Sequence, residues 1–328
     1  MNRRRLGKTG FSITEVSLGT WQVGGKWGSA FDNANAEKII NSAIDGGVNF
    51  IDTADVYSDG ESEKAVGRVV KSRSERIYVA TKCGRQIRPH VAEGYTPEAL
   101  RSYVEGSLKR TGLDRLDLIQ LHCPPGEVYY RPEIFGLFED LKREGKIAHL
   151  GVSVEKIDEA LKASEYDNVT TVQIIFNMFR QRPAEDFFPL ARQREIGIIV
   201  RVPLASGLLS GKFTAETTFG TRDHRSFNRD GSAFDKGETF SGVPFETGLQ
   251  AVEELKELFS GDTALASIAL RWILMFPEVT TVIPGASRPE QVVSNVGSAD
   301  LPPLTQEQMD KVRKIYDTHI KPLVHTNW

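Results

Sequence analysis

Phe50-Ile-Asp-Thr-Ala-Asp-Val-Tyr57 reads as a buried strand ending in Asp52, followed by a short loop that carries Tyr57. Two later apolar runs end in the same way. Ile77-Tyr-Val-Ala-Thr-Lys82 closes on a lysine, and Leu118-Ile-Gln-Leu-His122 closes on a histidine. Near-continuous apolar strands of this kind suit a sheet covered on both faces, with chemistry held at the strand ends.

Outward from this stretch the chain alternates. Helical periodicity over 36–45 precedes a strand at 48–52, 61–72 precedes 76–82, and 97–111 precedes 115–122. In the same way 132–144 precedes 147–152, 155–164 precedes 171–175, and 184–195 precedes 197–202. After a polar stretch at 213–245 come helices near 246–260 and 263–276, a strand at 279–283, and helices at 288–297 and 305–317. Residues 3–5 and 11–13 form a hairpin pattern, and Glu15-Val-Ser-Leu18 supplies a further short strand. Strict alternation predicts parallel strands joined by right-handed crossovers. Eight strands, polar residues at their C-terminal ends and the absence of G-x-G-x-x-G after the first strand favour a closed (β/α)8 TIM barrel over an open doubly wound sheet. The expected fold is therefore one α/β barrel domain over 1–328. It carries an N-terminal β-hairpin, additional helices near the C-terminus and a long polar loop insertion at 213–245.

Composition excludes several function classes. The 328 residues are 40% hydrophobic and 26% charged, with a net charge of −3. No basic field points to nucleic acid, and no apolar run has transmembrane length. The start, MNRRRLGKTGF, lacks an apolar core, so it does not read as a secretory signal. Two cysteines, Cys83 and Cys123, do not make a disulfide scaffold, and a cytoplasmic location is expected. Each follows a polar strand end; both are expected as free thiols, with a redox pair as the alternative.

In a parallel barrel Asp52, Lys82 and His122 are neighbours on one rim, and Tyr57 is near enough to fold over them. Singly, an Asp beside a Lys is an ordinary ion pair and a loop tyrosine is packing. Together they form a unit that delivers a proton. Free tyrosine, with a pKa of about 10, is a poor acid at neutral pH. A nearby ammonium favours the phenolate, Asp52 holds Lys82 charged, and His122 can orient a carbonyl oxygen. Two further stretches suit phosphates. Gly207-Leu-Leu-Ser-Gly-Lys212 lies past the seventh strand, where barrels bind phosphate, although it is no Walker motif. Gly285-Ala-Ser-Arg288 opens a helix, where Ser287 and Arg288 suit a phosphate monoester and so NADP(H) over NAD. No metal site is expected.

These motifs resemble the aldo-keto reductase family over essentially the whole chain. The resemblance rests on Gly19-Thr-Trp21, Phe50–Tyr57, Lys82, Leu121-His-Cys-Pro124, Gly145-Lys-Ile, Gly151-Val-Ser153 and Gln173. It continues through Pro203-Leu-Ala-Ser-Gly-Leu-Leu-Ser-Gly-Lys212 and Ile283-Pro-Gly-Ala-Ser-Arg288. It looks closest to the bacterial branch with a long loop after strand seven. It implies an NADPH-dependent reductase of a small-molecule aldehyde or ketone, with Tyr57 as proton donor. Cofactor contacts would fall on Gly19, Thr20, Trp21, Ser153, Gln173, Arg201, Pro203, Leu204, Ser206, Gly207, Leu208 and Lys212. On the eighth-strand side they would fall on Gly285, Ser287, Arg288, Gln291 and Asn295, the last two against adenine.

Two positions depart from the family pattern. Val154 replaces an asparagine that helps hold the nicotinamide amide. Arg201 stands where relatives stack a tyrosine, and is expected to contact the nicotinamide or its ribose and favour the reduced cofactor. Loop aromatics, above all Trp21, Trp27 and Tyr129, are expected to wall an apolar substrate pocket. The insertion is expected to order over the pyrophosphate, and the tail ending in Trp328 to dock. Two other readings compete: an NADPH-binding regulatory module, and a Schiff-base lyase using Lys82. The oligomeric state stays open.

Overall fold

A computed structural model describes residues 1–25 and 30–328. Its main sheet has eight strands in sequential order. They are Leu18–Gly19, Phe50–Asp52, Tyr78–Cys83, Leu116–His122, Ile147–Ser153, Val169–Ile175, Gly197–Arg201 and Val279–Val282, called here the first to eighth barrel strands. Neighbours pair in parallel throughout. Parallel bridges from Val16 to Val282 and from Gly19 to Gly285 join the first strand to the eighth and close the ring. Gly19 sits at that seam, where a Cβ would lie 2.8 Å from the Ile283 carbonyl oxygen.

The hairpin of Arg3–Arg5 and Ser12–Thr14 plugs the bottom of the barrel. Leu6 and Ile13 pack with Phe50, Ala80, Leu118 and Ile199 in one buried cluster. Gly7 approaches the seventh strand so closely, at φ +49°, that a Cβ would fall 2.3 Å from the Gly197 nitrogen. The larger apolar core lies between the strands and the outer helices.

Local chemistry moves several element boundaries. The helix expected from 36 starts at Asn33, because Asp32 caps it by accepting from the Asn35 amide at 2.9 Å. The second strand starts at Phe50 instead of 48, since the Val48 amide still closes the preceding helix on the Ala43 carbonyl. The single helix expected over 184–195 is two, Arg182–Asp186 and Phe188–Gln193, each with a proline in its first turn.

The insertion between the seventh strand and the helix Phe245–Leu258 has its own framework. Asn228 accepts from the Ala233 and Phe234 amides and donates to Thr239. Phe219 packs among Phe213, Phe240 and Phe245. The C-terminal tail docks on it: the Trp328 indole donates to Asp235 at 2.7 Å and Arg180 stacks on the ring at 4.1 Å.

Candidate active site

The site is the second side-chain layer inside the barrel. Strand residues alternate in and out. Phe50, Ala80 and Leu118 fill the interior below, and two residues further along the same strands stand Asp52, Lys82 and Gln120. The change from apolar to polar occurs in one step, at the C-terminal rim. Asp52, Lys82, Gln120 and Gln173 are each at most 2% exposed.

Lys82 organises this layer. Its ammonium pairs with Asp52 Oδ1, donates to the Thr53 carbonyl at 2.8 Å, and reaches the Tyr57 hydroxyl at 3.3 Å. The other Asp52 oxygen accepts from Gln120 at 3.0 Å and from Gln173 at 2.8 Å. Isolated buried charge is costly unless paired and fully hydrogen-bonded, and here both carboxylate oxygens are satisfied. His122 stands edge-on to Tyr57, with ring centroids 6.0 Å apart. Trp21 borders the tyrosine on another side, at 6.5 Å.

Burial pushes the Tyr57 hydroxyl above the usual tyrosine value, and Asp52 adds to this. The Lys82 ammonium pulls the other way without winning. Lys82 acts in the direction expected from the sequence, but burial is the larger effect. Burial alone would lower Lys82, but Asp52 and Tyr57 outweigh it and keep the ammonium charged. His122 is driven well below the usual imidazole range by burial, reinforced by Arg85, Lys82 and Arg201. It is therefore neutral, and its buried Nδ1 has no partner among the described residues. A protonated phenol backed by an ammonium, beside a neutral imidazole in a positive field, can hold a carbonyl oxygen and protonate it as negative charge develops.

Backbone strain marks the same rim. Positive φ is unusual outside glycine, yet Ser58 (48°), Cys123 (47°) and Val202 (51°) directly follow Tyr57, His122 and Arg201. Such outliers cluster at functional sites, where the surrounding fold holds them in place.

Above Asp52, Tyr57, Lys82 and His122 lies a charged roof, of which the sequence marked only Arg201. Arg201 donates to Glu155 at 2.7 Å and to the Val154 carbonyl at 3.0 Å. Glu238, from the insertion, accepts from Arg85 at 2.8 Å and lies 3.6 Å from Arg201. The two departures at Val154 and Arg201 are thus one feature, because the arginine binds the segment that replaces the asparagine. Gln120 was missed as well, although a glutamine within Leu118-Ile-Gln-Leu-His122 is a visible signal. Glu155 and Glu238 gave none, since loop glutamates ordinarily face water.

The expected cofactor residues divide into two groups. Thr20, Ser153, Gln173, Pro203 and Leu208 are buried, and the Thr20 hydroxyl and Gln173 amide bond to Asp52. Ser206 pins the insertion: its hydroxyl donates to the Glu238 carbonyl at 2.9 Å and accepts from Phe240 N–H at 3.1 Å. In the phosphate stretch the amides of Gly207, Leu209 and Gly211 bond within the turn, the first two to Leu204, while Lys212 is exposed. Past the neighbouring eighth strand Gly285 and Arg288 are exposed. Ser287 donates to Gln291, and Asn295 to the Gly285 carbonyl. Among the substrate candidates Trp21 faces the tyrosine. Tyr129 is instead fully buried in the main core, and Trp27 lies outside the described residues. Cys83 and Cys123 are free and buried.

Comparison with known proteins agrees with this geometry. Residues 15–317 match the model of the Aldo/keto reductase family. An uncharacterised oxidoreductase of Bacillus subtilis, YqkF, is 30% identical over 97% of this chain and 99% of its own length. The solved glycerol dehydrogenase AKR11B4 of Gluconobacter oxydans superposes with a TM-score of 0.79 at 30% identity, covering 97% of this chain and 96% of that one. An aldo-keto reductase from Klebsiella pneumoniae in complex with NADPH shares the fold at 23% identity and a TM-score of 0.70, over 96% and 95% of the two chains. The chain belongs to the aldo/keto reductase family. It is an oxidoreductase of carbonyl and alcohol groups.

Proposed function

We propose that the protein reduces a small aldehyde or ketone to an alcohol, with Tyr57 as proton donor. The observation that carries this is the Lys82 ammonium, which touches Asp52 and the Tyr57 hydroxyl together. When bound, the reduced nicotinamide supplies the hydride. His122, held neutral, donates to the carbonyl oxygen and orients it. Tyr57 gives its proton to that oxygen as alkoxide character develops, and Lys82 stabilises the phenolate left behind. Asp52 does no chemistry itself; it fixes and charges Lys82.

The residues present suit the cofactor. Arg288 is exposed beside Ser287, where the helix Pro289–Gly297 begins, and makes no ion pair among the described residues. A helix N-terminus with a guanidinium suits a phosphate monoester. Arg201 Nε is buried and lacks an acceptor among the described residues, which leaves a donor for the nicotinamide side. The positive surroundings of His122 favour a neutral, reduced ring over the oxidised cation. Ser153, Gln173, Gly207, Lys212, Gln291 and Asn295 keep their proposed cofactor roles, as Trp21 keeps its place beside the substrate. No helix among the described residues is long and apolar enough to cross a membrane, and two free thiols suit a reducing cytoplasm.

A screen of neutral aldehydes, ketones and sugars against NADPH oxidation tests the reading. Turnover of at least one carbonyl class is expected. NADPH binding with no turnover of any would contradict it in favour of a regulatory module.

A further inference from the structure

The charged roof goes unused by the proton-delivery chemistry below it. Arg85 lies three residues past Lys82, Glu155 two past Ser153, Arg201 at the end of the seventh strand, and Glu238 on the insertion. The third and seventh strands face each other across an eight-stranded ring, so this cluster spans the mouth. Its side chains are only 11–18% exposed. Both arginines act on His122, the group that meets the carbonyl.

The two carboxyls of the cluster are not equivalent. Burial pushes Glu238 up, but Arg85 and Arg201 overcome it and hold its carboxyl down at about 2. Burial drives Glu155 up to about 8; Arg201 opposes this and Glu238 adds to it. The two guanidiniums therefore face carboxyls of unequal charge, with Glu238 the more readily ionised. Arg201 Nε has no acceptor among the described residues. Unpaired buried donors are expensive, so this side of the mouth has room for an acceptor on an incoming molecule. Arginine forks suit carboxylate geometry, and the group that already sits between them, Glu238, is itself a carboxylate. It also belongs to the one part of the cluster that lies outside the barrel rim.

We propose that Arg85 and Arg201 form an anion subsite of the carbonyl pocket, with Glu238 as its built-in occupant, and that the favoured substrates are oxo-carboxylates. This rests on the reductase reading above. The substrate's carboxylate takes the place of Glu238 on Arg85, while its carbonyl meets Tyr57 and His122. The mouth is then a polar, charge-selecting pocket instead of the apolar one expected from the loop aromatics.

The test uses pairs that differ only in charge: glyoxylate and succinic semialdehyde, each against its amide, with NADPH as reductant. For the better-fitting chain length, wild type is expected to favour the acid in kcat/KM by about tenfold or more, through KM. Arg85→Gln brings that ratio close to one, Arg85→Lys keeps part of it, and Glu238→Gln raises it. Added salt erodes it. Independently of turnover, succinate titrated calorimetrically into the NADPH complex binds wild type and loses about tenfold in Arg85→Gln. Equal kcat/KM for acid and amide at both lengths, or succinate binding indifferent to Arg85, overturns the subsite. Arg85-dependent succinate binding without turnover of any aldehyde supports the subsite and contradicts the reductase reading instead.

Discussion

The floor of the site and its roof are built differently. The floor is set by strand register: Asp52, Lys82 and Gln120 stand one step above an apolar layer, on adjacent paired strands. The roof is assembled across sequence. Arg85 meets Glu238 153 residues later, and that contact depends on an insertion anchored by Ser206 and Trp328. On the proposed reading the catalytic groups lie on the rigid strands, while the charge pairs that select what enters are completed by Glu238 on the element free to vary. Loops carried by a rigid scaffold commonly hold that second role.

The division is open to attack from the floor. Lys82→Met should lower kcat by about 10²-fold or more, because the tyrosine loses the charge that stabilises its phenolate. Proteolytic susceptibility of 213–245 should stay at the wild-type level. Stopped-flow rates and limited trypsin digestion read the two halves separately, and an insertion that opened in this variant would merge floor and roof.

From the roof the expected effect is smaller. Trp328→Ala removes the stack on Arg180 and the bond to Asp235, interactions worth about 1–3 kcal/mol together. Cleavage within the insertion should speed up by a corresponding factor, with the far-UV spectrum and main unfolding transition preserved. Loss of the whole fold would show that the tail supports the barrel and not the insertion alone.

The smallest effect is an absence. His122 lies well below the imidazole range and Tyr57 above the usual phenol value. Tyr57 therefore keeps its proton through neutral pH, and His122 is already uncharged. The kcat/KM profile for a neutral aldehyde should show no inflection near an ordinary histidine pKa of about 6.5, and should fall only at alkaline pH. An acid limb centred near that value would mean that His122 titrates in the working range.

The floor was legible in the sequence because its signal is local. An apolar strand interrupted by Asp, Lys or His at its last position can be read without knowing the neighbours, and alternation with helices placed those ends on one rim. Gln120 carried the same signal one turn of the pleat earlier and was passed over beside His122. The roof was not legible, because Glu155 and Glu238 become buried only through the path of the insertion. Tyr129 failed for a related reason: a loop aromatic in sequence sits in the 3₁₀ turn Gly126–Tyr130, which points it into the core. Arg201 stood out in the sequence as a departure from the family pattern. Its partner, two residues past Ser153, was visible only once the strands were laid side by side.

The most direct measurement of the central claim is single-turnover hydride transfer in the Tyr57→Phe variant with a neutral aldehyde, paired with a fluorescence titration of NADPH. NADPH affinity should stay unchanged and the rate should fall by about 10²- to 10⁴-fold. A rate within a few-fold of wild type would contradict it, because the proton would then come from a group other than Tyr57.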